Sequence, residues 1–359
     1  MNLDSFEEQA LAGKRGPALQ WAYEELIRYA HQKGSNDLVQ VRSIHIPRPS
    51  PDELRILGPI IHTPFHPGCK VSFNPWLHCQ SFGDGDVATL GMVNNCSEAT
   101  CSPFLSGNSP SKGSFCAWGG RGAVCFLNSI IGAFSNQESF STALAAAISG
   151  KTVLHGLLKE SGRSSDISVA LEDVNEIDPS VLGHFLSESL DGRRSRILGL
   201  RLNLDEMRSF CSSLNHDGRQ PMFQIGGEAD EATLTITSED IDIGYEPTID
   251  ETAVIILGCP HLSEQQINKI ARKLAGRKAS EHEVIFHSSK LCMDKSPKTG
   301  LLLSKRGRIE ISRCPLTDER EWAGKMVLTD SVMLAERLQK DGYRAGFLPS
   351  SVLMDKLIS

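Results

Sequence analysis

The chain has 359 residues, enough for two or three α/β units around more than one core. Its net charge of −7 excludes a nucleic-acid binder that works by neutralising phosphates, and no run of about 20 apolar residues could span a bilayer. The opening Met1-Asn2-Leu3-Asp4-Ser5-Phe6-Glu7-Glu8 has no basic-then-apolar signal pattern. It predicts a cytosolic protein, whose ten cysteines are thiols or metal ligands rather than disulfides. The plainer alternative for any one cysteine is a small buried hydrophobe.

Residues 5–32 read as a helix pair or one broken helix, interrupted at Gly13, Gly16 and Pro17, with Leu19, Tyr23, Leu26 and Ala30 on one apolar face. Leu38–Val41 reads as a short strand leading into Ser43-Ile44-His45-Ile46. A His at a strand end beside Ser43 suits substrate contact or proton transfer near neutral pH, against the alternative of a core histidine bonded to backbone. Residues 62–80 carry His62, His66, Cys69, His78 and Cys79, all zinc ligand types. Their spacing matches no strong zinc pattern, and Pro64, Pro67 and Pro75 predict a loop.

From Cys101 to Ile148 small residues are dense. Cys101-Ser102-Pro103-Phe104 opens the stretch, and Ser106-Gly107-Asn108 follows. Ala117-Trp118-Gly119-Gly120-Arg121-Gly122 then turns into an apolar helix candidate from Ala123. A soft ligand beside free backbone N–H groups at a helix start predicts a site, and the turn matches neither the P-loop nor the dinucleotide fingerprint. Residues 165–215 predict β–α units, with a strand at Ile167–Leu171 and helices at Pro179–Leu190 and Leu204–Leu214. Met222–Ile225 reads as a strand, and the acidic, turn-rich segment 227–250 as a solvated face, with a hinge or domain edge as the alternative.

Ala253–Leu257 is a short apolar run, as expected of a strand buried on both faces of a parallel sheet. Gly258-Cys259-Pro260-His261 follows, and Ser263 with Gln266 makes a capping box for a helix that stops at Gly276. Cys259 thus falls between a strand's carboxyl end and a helix start, the crevice where open α/β sheets bind ligands. Arg308–Ile311 alternates like a strand and ends at Arg313-Cys314-Pro315. Met333–Asp341 predicts a helix, and Tyr343–Ser351 a terminal strand with loop.

Several of these runs together resemble the catalytic large subunit of the aconitase X family over nearly the whole chain. The similar segments are Ser43-Ile44-His45-Ile46, Asn74-Pro75, Cys101-Ser102-Pro103-Phe104, Ala117-Trp118, Asn128-Ser129, Gly132-Ala133, Ala146-Ala147-Ile148, Gly258-Cys259-Pro260-His261 and Thr329-Asp330-Ser331. The resemblance implies an aconitase-like α/β fold: several lobes (1–150, 151–248 and 249–359) with mainly parallel sheets around a central cleft. It implies a hydro-lyase acting on a small hydroxy-acid, 5-phosphomevalonate and cis-3-hydroxy-L-proline being the family's substrate classes. The cofactor would be an iron–sulfur cluster or mononuclear iron, held by Cys101, Cys259 and Cys314. These are separated by 158 and 55 residues, so no local metal motif reveals them. Three thiolates would leave one metal position open for a substrate oxygen. The alternative is three structural thiols in framework turns. Ser43 and His45 would be catalytic, and Asn74, Asn108, Arg121, Asn136 and Ser331 would bind substrate.

The chain departs from the family at several site positions. Gly120-Arg121-Gly122 replaces an acid and hydroxyls, Gln137 replaces an anion-binding Arg, and Val332-Met333 replaces Gly-Lys. Arg121 is a new cation and a bidentate anion clamp in chemical type. The family's small swivel domain carries its serine base, and this chain matches only the large part, so the resemblance implies a small-subunit partner. The rival reading is a non-catalytic or regulatory homologue that keeps the fold.

Overall fold

A computed structural model of the chain describes residues 1–54, 60, 62–75, 99–227, 232–241, 253–277, 280–317 and 322–357. By compactness the chain divides once, into Met1–Ser164 and Ser165–Ser359. The fold is α/β, with mainly parallel sheets in both units. No helix among the described residues is long and apolar enough to cross a membrane.

The first unit opens with helices Ser5–Leu11 and Pro17–Lys33, where Gly16-Pro17 breaks the pattern as expected. Strand β1 (Leu38–Gln40) is followed by β2 (Ser43–Ile46), β3 (Lys70–Phe73), β4 (Cys116–Trp118) and β5 (Lys151–Val153). Strands β3, β2 and β4 form a parallel sheet in that order, while β1 pairs antiparallel with β5. Strand β2 is central and wholly buried. The Pro17–Lys33 helix and the Ala-rich Phe140–Ser149 helix bring Ala22, Leu26, Ala143 and Ala147 into one core with Ile44 and Ile46. Ser139 caps the second of these helices in a reciprocal box with Thr142. The reading of 62–80 as a loop is corrected at β3. No proline falls within Lys70–Phe73, so its backbone is free to pair with β2.

The second unit holds two parallel sheets. One uses β6 (Ile167–Glu172), β7 (Ser195–Leu198), β8 (Gln224–Ile225) and β9 (Leu234–Thr237), in the order β8-β7-β6-β9. Helices Pro179–Leu190 and Leu204–Leu214 stand at the expected residues, the second capped by Asn203 and Glu206. Strand β9 corrects the hinge reading of this region, since Leu234-Thr235-Ile236-Thr237 alternates and pairs with β6.

The other sheet uses β10 (Val254–Leu262), β11 (Glu283–Ser288), β12 (Arg308–Ile311), β13 (Met326–Thr329) and β14 (Arg344–Phe347). Its order is β12-β11-β10-β13-β14, so the chain winds outward from β10 first one way and then the other. The switch point lies between β10 and β13, and side chains with chemistry at that edge face a natural ligand crevice. The terminal segment forms the helix Ser350–Lys356 rather than the expected loop.

Candidate functional site

In the first unit the carboxyl edge of the β3-β2-β4 sheet gathers the ends of three strands. Asn74 follows β3, and its N–H donates to Ile46 O at 2.9 Å. Thr100 N–H donates to Phe73 O at 2.9 Å, which sets half-buried Cys101 just beyond the same edge. Gly119 and Gly120 follow β4, and exposed Arg121 begins the helix Arg121–Phe126. That helix has six residues before it passes into the wider turn Leu127–Ile131, so the expected anion site at its start has little dipole behind it.

Beneath this edge the expected catalytic pair is closed into the core. Ser43 Oγ donates to Asn108 Oδ1 at 2.6 Å and accepts from Trp118 Nε1 at 2.8 Å. Asn108 Nδ2 donates to Ile44 O at 2.8 Å and to Ser72 Oγ at 2.9 Å. Ser72 Oγ donates to Ile44 O at 3.4 Å and lies 3.0 Å from His45 Nδ1. With Ser72 so used, His45 donates from Nδ1, and its buried Nε2 keeps a lone pair with no partner. A Cβ on Gly120 would stand 3.0 Å from that Nε2, so glycine there leaves room for the ring. Burial pushes the His45 pKa from 6.5 down to about 3, opposed by the Ser72 hydrogen bond. His45 is therefore neutral at pH 7. The expected titration near neutral pH gives way to a fixed imidazole in a hydrogen-bonded core.

Two further expected substrate ligands are also committed to the fold. Asn136 Nδ2 donates to His155 O at 3.1 Å, and its Oδ1 accepts from Leu157 N at 2.9 Å, so it holds the turn at Gly156. Ser331 Oγ accepts from Leu334 N at 3.2 Å and caps the helix Val332–Lys340. Sequence reasoning passed over Glu138, which is buried with Oε1 on Thr152 Oγ1 at 3.2 Å. Burial raises its pKa.

In the second unit the carboxyl edge of the β10-centred sheet is built differently. Strand β10 does not end at Leu257 as expected but runs on to Leu262. Leu257 pairs with Phe286 and Leu262 with Ser288, so five steps on β10 face two on β11. The three extra residues fall within Gly258–His261 and form a bulge that carries Cys259. Gly258 is required at φ +108°, because a Cβ there would lie 2.2 Å from His287 O.

The bulge is tied to the loop after β12. His261 Nε2–H donates to Arg313 O at 2.8 Å, and His287 Nδ1–H donates to the same carbonyl at 3.0 Å. Cys259 is two residues from one donor, and Cys314 is one residue from the shared acceptor. Both thiols are half-buried. Burial pushes the pKa values of His261 and His287 down to about 4 and about 3, so both rings are neutral at pH 7. His287 Nε2 is a buried lone pair with no hydrogen-bond partner. Arg208 binds His261 O from below and Asp205 Oδ1 at 2.8 Å, holding the bulge from its other side. Two half-buried thiols on cross-tied loops are ligand types that iron–sulfur, zinc and copper(I) centres accept.

At the switch point a pocket is lined by Leu257, Leu262, Gln266, Lys269, Asp330 and Ser350. Half-buried Asp330 accepts from Ser350 Oγ at 2.8 Å. Burial pushes its pKa from 3.8 up to about 6, with Asp178 adding repulsion and the Ser350 bond opposing. It is the titratable group of this edge that sequence reasoning missed, although its place after a strand was visible. Of the histidine–cysteine loop, His62, His66 and Cys69 fall among the described residues. His62 is exposed, Cys69 Sγ donates to Val41 O at 3.2 Å, and these residues with His66 are not among the three-ligand groups found in the described residues. His78 and Cys79 lie outside the described residues.

Comparison with known proteins fits this geometry. The family model described as "Aconitase X first domain" matches residues 88–161. A phosphomevalonate dehydratase large subunit from Methanosarcina mazei is 29% identical over 324 residues, covering 81% of this chain and 80% of that protein. This chain is similar to the aconitase X proteins. A cis-3-hydroxy-L-proline dehydratase from Pseudomonas aeruginosa is 25% identical, covering 84% of this chain and 59% of that longer protein. The crystal structure of Thermococcus kodakaraensis aconitase X in its holo-form superposes with a TM-score of 0.88 over 99% of this chain and 100% of that chain, at 24% identity. The aconitase X fold expected from the sequence is thereby established.

Proposed function

We propose that the chain is the large subunit of an aconitase X-type hydro-lyase, which removes water from a small hydroxy-acid together with a small subunit. Two of the relatives named above are dehydratases, and the Methanosarcina mazei one is named as a large subunit, which supports both the reaction class and the partner. In this reading Cys259 and Cys314 hold an iron–sulfur cluster or a single iron, and Cys101 is the third ligand that the resemblance implies. Such a centre, when bound, supplies Lewis acidity toward a hydroxyl leaving group and a carboxylate. The observation that carries the reading is the pair of half-buried thiols, Cys259 and Cys314, on loops fixed through one carbonyl, Arg313 O.

The chain's own residues divide the remaining work. Arg121, exposed at the edge of the first unit's sheet, offers a two-pronged clamp for a substrate anion. Asp330, with its pKa near 6, exchanges a proton at its carboxylate close to neutral pH. His261, His287 and Arg208 position the Cys259 bulge, and Ser43, Asn108 and Ser72 fix the neutral ring of His45. The two substrates named for the relatives, phosphomevalonate and cis-3-hydroxy-L-proline, are the first to assay. The iron-reconstituted chain should turn over one of these hydroxy-acids only when a small subunit is added. Substantial turnover by the chain alone would remove the partner from the account. No turnover with a competent small subunit would remove the substrate class.

A further inference from the structure

Away from the cysteine loops, the second unit brings three metal-ligating side chains together. His184 lies on the Pro179–Leu190 helix, His216 two residues beyond the Leu204–Leu214 helix, and Glu336 on the Val332–Lys340 helix. His184 Nδ1 and His216 Nε2 each stand 3.7 Å from the same oxygen, Glu336 Oε2. The imidazole centroids are 5.0 Å apart, tilted by 47°. Among the described residues, these three ligand atoms all fall within 4.8 Å of one another.

That spacing is too long for hydrogen bonds. It is close to the separation of about 3.4 Å between ligands that each lie about 2.1 Å from a tetrahedral zinc ion. The nitrogens are also prepared. His216 Nδ1–H donates to Ser213 O at 2.9 Å, which fixes the tautomer and turns the Nε2 lone pair toward Glu336. His184 Nδ1 is buried and makes no hydrogen bond. Burial holds the His184 pKa below 6.5, against the pull of Glu336. Lys340 pairs with the other oxygen of Glu336, leaving Oε2 for the cluster. Glu188 Oε1, 3.7 Å from His216 Nε2, is an exposed carboxylate at the mouth of the site.

We propose that His184, His216 and Glu336 bind a divalent transition ion of the zinc class, independent of the thiol-held centre. Two imidazoles and a carboxylate are a donor set that zinc accepts, with a fourth position for water. The ion would clip together two helices and the segment that follows a third. The two helices are already joined where Ser180 Oγ accepts from Val332 N at 2.9 Å.

The test is zinc binding by the full chain, measured by equilibrium dialysis and elemental analysis, in wild type, His184→Gln, His216→Gln and Glu336→Asp. The expected result is that both glutamine variants bind one zinc equivalent fewer than wild type. Glu336→Asp should keep the site but weaken it about tenfold or more, and it provides the reading should a histidine variant misfold. Titration with cobalt(II) tells this centre from a thiolate one. The wild-type minus His184→Gln difference spectrum should show ligand-field bands without sulfur-to-cobalt charge transfer. Equal zinc content and affinity in folded variants and wild type would overturn the proposal. So would a difference spectrum dominated by thiolate charge transfer. A wild-type chain with no zinc beyond its thiol-held metal would overturn it as well, and would leave the three residues as an ion-paired histidine–glutamate cluster.

Discussion

The two carboxyl edges carry similar residue types and treat them in opposite ways. In the first unit Ser43, His45, Ser72, Asn108 and Trp118 satisfy one another within the core, and one lone pair, His45 Nε2, is left over. In the second unit the strand itself bulges, two histidines spend their N–H groups on one carbonyl, and two thiols and a carboxyl are only half-buried. The difference teaches that a polar side chain at a strand end is not by itself a site. What separates structure from chemistry is whether its hydrogen-bonding capacity is already used.

The comparison breaks most easily at the glycines. Gly258→Ala places a Cβ against backbone, 2.2 Å from His287 O, in a conformation that L residues rarely adopt. It should cost about 3–5 kcal/mol in denaturant unfolding. Gly120→Ala meets the edge of the His45 ring at 2.9 Å, a neighbour that can shift, and should cost clearly less. Equal losses would mean that the bulge is no more constrained than the turn.

Asn108→Ala comes next. It removes one hydrogen bond each from Ser43, Ser72 and the Ile44 carbonyl in the core and should lower stability by about 3 kcal/mol. Iron content after reconstitution should stay at the wild-type level. A stable variant with weakened ligand binding would return Asn108 to the site.

The pH dependence separates the edges further. His45, His261 and His287 have folded pKa values of about 3 to 4, below the unfolded value near 6.5. Their contribution to stability is complete above pH 6.5 and is lost as pH falls toward 4, because the unfolded chain takes up protons that the folded chain refuses. Asp330 runs the other way. Its folded pKa of about 6 exceeds 3.8, so its contribution is complete below pH 3.8 and is lost as pH rises through 6. Asp330→Asn should therefore raise stability at pH 8 by roughly 2 kcal/mol and leave it little changed at pH 3.5. A variant no more stable than wild type at pH 8 would mean an ordinary surface carboxylate.

The smallest effect on folding is expected at Arg121. Arg121→Ala should change stability by less than about 0.5 kcal/mol, while weakening an anionic ligand by about 10- to 100-fold in calorimetric titration. Arg121→Lys, which keeps the charge and loses the fork, should fall between them. Equal affinities in all three proteins would leave Arg121 as a surface residue.

Much of the fold was legible because its signals are local. Pro179 and Leu190 bound their helix as the sequence predicts, and the Ser263–Gln266 capping box starts the next one where expected. Strand β3 was hidden because four residues between prolines give too little periodicity, and it pairs only because β2 is there to receive it. The candidate site was legible in residue type but not in hydrogen bonding. Nothing local says that Asn136 will be spent on the Gly156 turn, or that Ser331 will cap a helix. The His184–His216–Glu336 cluster was invisible for the same reason, since its members come from two helices and the end of a third, spread over more than 150 residues.

Iron content tests the role of the Cys259 and Cys314 loops most directly. Each of Cys101→Ser, Cys259→Ser and Cys314→Ser would be reconstituted anaerobically beside wild type, with Cys69→Ser as the control whose thiol is spent on Val41 O. The account predicts wild-type iron in Cys69→Ser and a large loss in Cys259→Ser and Cys314→Ser, with Cys101→Ser following them. Wild-type iron in both the Cys259 and the Cys314 variants would contradict it.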